Sequence, residues 1–164
     1  MTRLMRNLLA ERATEAFVGR AEQLAILRET LLPGRPAVVF VHGIGGIGKS
    51  SLLDVFAVQA RAEGATVLPL DCRAIDPTES GFLREIAVAT GGEITSVDVA
   101  AERLANLRGR VVIILDAYER FRFLDTWLRR VFVPAVGDDV GVIICGRDPP
   151  YSAWLTAPGW QGLV

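Results

Sequence analysis

Apolar residues along the chain follow two spacings, unbroken short runs and recurrences every three or four positions. Ala37 to Val41, Thr66 to Leu70, Val111 to Leu115 and Val140 to Cys145 are unbroken runs, which predict strands buried on both faces. The second spacing predicts amphipathic helices. Leu4, Leu8 and Leu9 mark a short leading helix, and Leu24, Leu27 and Leu31 a second one stopped at Pro33-Gly34. Leu52, Leu53, Phe56 and Ala60 mark a helix over Ser50 to Glu63, closed by Gly64. Phe82, Leu83, Ile86 and Ala87 mark another, and Val97, Ala100, Ala101 and Leu104 one more. Phe123, Leu124, Trp127, Leu128 and Val131 predict a helix stopped by Pro134, and the closing WQGLV reads as the start of a fifth strand.

Buried strands separated by helices pair in parallel through crossovers, so the expected architecture is α/β, a three-layer αβα sandwich around a parallel sheet. Ligands of such sheets bind beyond the carboxyl ends of the strands, and Gly43, Asp71, Asp116 and Arg147 fall there. No internal repeat or linker interrupts the pattern, so residues 1–164 read as one domain. Because the chain stops where its fifth strand begins, it is expected to be part of a longer protein.

Composition narrows the partners rather than the fold. Of 164 residues 51% are hydrophobic and 23% charged, with mean hydropathy +0.33, which excludes a disordered chain. A formal charge of -1 gives no global attraction to nucleic acid or to a membrane surface. Cys72 and Cys145 have neither zinc-ligand nor disulfide-framework spacing, and a reducing cytoplasm is the expected location. The first residues lack a signal-peptide core, and no window is apolar enough to span a membrane. Of the 18 basic side chains 17 are Arg; Lys49 is the one lysine.

That lysine falls in Gly43-Ile44-Gly45-Gly46-Ile47-Gly48-Lys49-Ser50, which satisfies GxxxxGK[ST], the Walker A pattern, between a predicted strand and a predicted helix. Glycines let successive N–H groups turn inward around a phosphate chain, and the helix adds its own free N–H groups and dipole. In this reading the amides from Gly43 to Ser51 cradle phosphates, Lys49 pairs with the β- and γ-phosphates, and Ser50 completes a Mg²⁺ shell. His42 beside the loop reads as a strand-end residue.

VVIILDAYER delivers Asp116 to the sheet edge, where a carboxylate can hold Mg²⁺ as in a Walker B strand or instead cap the next helix. Glu119 can orient or deprotonate an attacking water, or be an ordinary surface residue beside Arg120 and Arg122. VGVIICGR brings Arg147 to the same edge, as a γ-phosphate sensor or as an ion-pair partner of Asp148. The [NT]KxD element of Ras-type guanine recognition needs a second lysine, so ATP is favoured over GTP.

Phe17-Val18-Gly19-Arg20 with Glu22, then GIGGIGKSSLL, LDAYE and IICGRD, resemble the nucleotide-binding core of STAND ATPases. These are signalling relatives of AAA+ proteins and include the NACHT and NB-ARC groups and the ATPase part of LuxR-type regulators. The resemblance implies a P-loop NTPase fold with strand order 5-1-4-3-2. Residues 1–33 would then be leading helices with the FVGR motif, and residues 37–164 the sheet core. It implies that Val18, Gly19 and Arg20 lie against the adenine, that Asp116 coordinates Mg²⁺ and that Arg147 monitors the γ-phosphate. Two departures touch hydrolysis: Ala117 stands where many relatives have a second acid, and Cys145-Gly146 where many have Thr or Ser before the Arg.

The function expected is an ATP–Mg²⁺ binding, slowly hydrolysing switch domain of a larger signalling or transcription-regulatory protein. The alternatives are a P-loop small-molecule kinase and a non-hydrolysing nucleotide-binding oligomerisation module. Expected partners are ATP, the lid, winged-helix and sensor modules that follow such a core, and further copies of the chain on activation. Neither direct nucleic-acid binding by this segment nor membrane contact is expected.

Overall fold

A computed structural model of the chain describes residues 20–34, 38–157 and 160. The leading helix around Leu4, Leu8 and Leu9, the motif residues Val18 and Gly19 and the closing strand after Trp160 lie outside the described residues.

Four parallel strands, β1 (Val38–His42), β2 (Thr66–Asp71), β3 (Val111–Asp116) and β4 (Val140–Gly146), form a sheet in the order β1-β4-β3-β2. This is the 1-4-3-2 part of the expected order, with β4 inserted between the strand before the glycine loop and the strand of Asp116. Registers Val41↔Cys145, Leu115↔Ile144 and Asp71↔Asp116 bring the carboxyl ends of all four strands level. β2 is an edge strand, which is why Pro69, lacking a donor, is accommodated in it.

Alternation along the strands feeds two cores. Val111, Ile113, Leu115, Val140, Val142 and Ile144 enter one, with helices α3 (Glu79–Thr90) and α4 (Val97–Ala105). Val112, Ile114, Ile143 and Cys145 enter the other, against α1 (Ala21–Arg28) and α2 (Lys49–Ala62). The three-layer sandwich follows. Thr78 and Ser96 cap α3 and α4, accepting from Gly81 N at 3.0 Å and Val99 N at 3.3 Å.

The helix expected to stop at Pro134 ends one residue later: α5 (Asp125–Trp127) runs through a π turn at Leu128–Phe132 into α6 (Val133–Ala135), and Val136 is extended. Widening the turn before proline shifts the hydrogen-bond pattern that its missing N–H would otherwise break. The apolar tail after Pro149 also has a place: α7 (Ser152–Thr156) buries Trp154 completely, its ring edge-on to Phe40 at 5.3 Å.

Candidate functional site

The loop after β1 bends as its glycines allow. Gly46 has φ 82° and Gly48, the residue before α2, has φ 90°, left-handed angles that a side chain would resist. α2 therefore starts with Lys49 and Ser50 at the mouth of a cavity of about 730 Å³. Gly45, Gly46, Gly48, Lys49, Ser50 and Ser51 line it on one side, and Asp116, Ala117, Glu119 and Arg147 on the other. Ile44 is exposed at the loop tip and Ile47 is partly exposed, with its Cδ1 only 2.5 Å from where a Cβ on Gly43 would lie.

Lys49 Nζ donates to Gly43 O at 2.5 Å and Ile44 O at 2.8 Å, so the ammonium is drawn inside the loop. Ser50 Oγ donates to Asp116 Oδ2 at 3.0 Å, which joins two motifs 66 residues apart. Asp116 Oδ1 accepts from Ala117 N at 2.8 Å. Ala117 itself has φ 57°, the one positive value at a non-glycine among the described residues. That left-handed step turns the chain into the 3₁₀ segment Tyr118–Phe121 and directs Glu119 back across the cavity.

Arg147 pairs with Glu119 rather than with Asp148. Its backbone N donates to Glu119 Oε2 at 3.3 Å and its Nε lies 3.8 Å from Oε1. Glu119 packs so closely over Gly146 that a Cβ there would stand 3.1 Å from Oε2, and Arg147 Nη2 lies 3.8 Å from a Cβ position on Gly45. Arg20 reaches the same loop, with Nη2 3.4 Å from a Cβ position on Gly48. It borders a second cavity, about 300 Å³, with Ile26, Leu27, Val39, Val41 and Ile47. His42 also borders this second cavity, from the end of β1.

Two residues that the motifs do not mark, Arg73 and Asp125, shape the site. Arg73 lines the main cavity and is held by Asp71. Asp125, buried, accepts from Tyr118 Oη and Trp154 Nε1, each at 2.8 Å, and so ties the turn carrying Glu119 to α7. Its only sequence signal is an acid within an apolar helical stripe. Cys145 is buried, and desolvation with the negative charge of Asp116 pushes its thiol up to about 12. Cys72 is likewise buried and free, with its pKa raised by burial.

A family profile described as AAA ATPase domain matches residues 16–144. The chain belongs to the AAA ATPase domain family. An AAA+-related P-loop ATPase core is thus what the motifs and the sheet order together describe, and nucleotide binding is the property it supports. Solved structures share this domain's fold: the Aeropyrum pernix Orc1 protein in complex with DNA is 19% identical, over 87% of this chain and 41% of its own, with TM-score 0.59. Cdc6p from Pyrobaculum aerophilum is 17% identical over 88% of this chain and 42% of its own, with TM-score 0.63. Drosophila ORC bound to AT-rich DNA and Cdc6 matches at 12% identity over 96% and 55%, with TM-score 0.59. The AAA ATPase domain described here therefore spans between 41% and 55% of the length of these chains. No curated protein matches the chain. No helix among the described residues is long and apolar enough to cross a membrane.

Proposed function

We propose that this AAA ATPase domain is an ATP-controlled switch that binds ATP with Mg²⁺ and hydrolyses it slowly, within a larger signalling or regulatory protein of the STAND type. The observation that carries the reading is the 3.0 Å contact between Ser50 Oγ and Asp116 Oδ2 beside the glycine loop. A hydroxyl and a carboxylate are hard oxygen ligands, and Mg²⁺ characteristically takes one or two such protein ligands, filling its shell with phosphate oxygens and water. Bound there, Mg²⁺ would neutralise charge on the phosphates.

The chain's own residues account for the rest. Amides of Gly45 to Ser51 and the positive end of α2 face a phosphate tail, and Lys49, released from the carbonyls of Gly43 and Ile44, supplies a point charge to it. The apolar cavity beside Arg20 is the place for the adenine, with Val18 and Gly19 preceding it in sequence. Glu119 would orient water, and Arg147 would exchange Glu119 for the terminal phosphate. That exchange is the switch.

Ala117 and the engagement of both Glu119 oxygens by Arg147 favour a second reading, binding without turnover. Titration calorimetry with ATP and Mg²⁺ tests the binding, and phosphate release separates the two readings. Absence of any heat of binding in the presence of Mg²⁺ would overturn both.

A further inference from the structure

The wall of the main cavity opposite the glycine loop carries a cation that the phosphate-loop pattern does not explain. β2 ends at Asp71, in register with Asp116, and Cys72 N donates to Asp116 O at 2.9 Å. Arg73 therefore emerges directly beyond the carboxylate that, with Ser50, marks the cation-holding end of the cavity, and it lines that cavity.

Asp71 fixes Arg73 through three bonds. Arg73 N and Nε donate to Oδ1 at 3.0 and 2.9 Å, and Nη2 donates to Oδ2 at 2.9 Å. The pair is exposed, 61% for Arg73 and 45% for Asp71, so its return in stability is small. Its effect is on order: one edge of the guanidinium is committed to Asp71, and among the described residues nothing accepts from Nη1. A guanidinium already held in place loses little freedom on gripping an anion. Asp116 and Glu119 line the same cavity and repel a phosphate tail, which makes a fixed positive charge on this side useful at the terminal phosphate.

We infer that Arg73, anchored by Asp71, contacts the terminal phosphate of a nucleoside triphosphate and lets the site distinguish triphosphate from diphosphate. This role rests on the reading of the cavity as an ATP site.

The test is titration calorimetry on the full chain with Mg²⁺ and either ADP or a non-hydrolysable ATP analogue. Arg73→Ala is expected to lose roughly tenfold in affinity for the analogue while ADP affinity stays within about twofold. Arg73→Lys, which keeps charge and loses the clamp, should recover part of the difference. Equal losses for both ligands, or none, overturn the role. Lys49→Ala separates this failure from a deeper one. If Lys49→Ala abolishes binding and Arg73→Ala changes nothing, only the Arg73 contact falls. If the wild-type chain binds neither nucleotide, or Lys49→Ala binds as well as wild type, the ATP reading falls and takes the Arg73 contact with it.

Discussion

Ser50 and Asp116 meet at 3.0 Å although they lie at the start of α2 and the end of β3, two strands across the sheet from the strand that precedes α2. Only the insertion of β4 between β1 and β3 sets that separation, so the contact depends on the whole sheet order. Asp116→Asn keeps the shape and the hydrogen-bond acceptor while removing the charge. Nucleotide affinity should then lose its Mg²⁺ dependence, with an unaltered circular dichroism spectrum; a variant that responds to Mg²⁺ like wild type would remove Asp116 from the site.

Lys49 is the one lysine of the chain and its ammonium lies inside the loop. Lys49→Ala deletes the point charge aimed at the phosphates, and ATP binding should fall below detection by calorimetry. Thermal stability should move by less than about 1 kcal/mol, because the two carbonyls it leaves can turn to water.

Glu119 is the acid that the left-handed turn at Ala117 brings to the cavity. Glu119→Gln is expected to slow phosphate release roughly 10²-fold while leaving ATP affinity nearly unchanged. Equal phosphate release by the two proteins would assign hydrolysis, if any, to another group.

Asp125 holds two buried donors, Tyr118 Oη and Trp154 Nε1, and lies 3.9 Å from the nearly buried Arg129. Asp125→Ala strands the two donors and removes the counter-charge nearest Arg129, and should cost about 3 kcal/mol in urea denaturation. Asp125→Asn, which retains an acceptor oxygen, should cost less. A loss under about 0.5 kcal/mol for the alanine variant would show that water replaces the carboxylate.

Hydrogen bonds from Arg73 hold the Asp71 carboxyl below its ordinary value of 3.8. A depressed folded-state pKa contributes stability that is present above the unfolded value and lost as pH falls through the folded one. Asp71→Asn should therefore be slightly less stable than wild type at pH 7, by less than about 1 kcal/mol for so exposed a pair. Denaturation curves at a series of pH values should converge as pH falls through the depressed folded-state pKa, once Asp71 is protonated in both states.

β3 and β4 are legible because burial on both faces leaves an unbroken apolar run, β1 and β2 because each still sends apolar residues toward both cores, and the main helices because burial on one face leaves a helical stripe. The glycine loop is legible for a similar reason: the backbone angles at Gly46 and Gly48 are a local demand that glycine meets alone. Pro134 marks the helix end to within one residue, but the π turn before it has no signal in the apolar spacing.

The sequence by itself determined the layered α/β core, the phosphate-type loop and which acid and which arginine reach the sheet edge. Those follow from constraints acting within a few residues. Tertiary structure alone decided that Arg147 pairs with Glu119 instead of Asp148, that the Asp71–Arg73 pair comes to stand at the cavity of Asp116, and that Asp125 joins Tyr118 to Trp154. Charged and hydrogen-bonding side chains carry no periodic signal of their partners. Which ones meet is fixed by the order and register of strands that the chain assembles from distant segments.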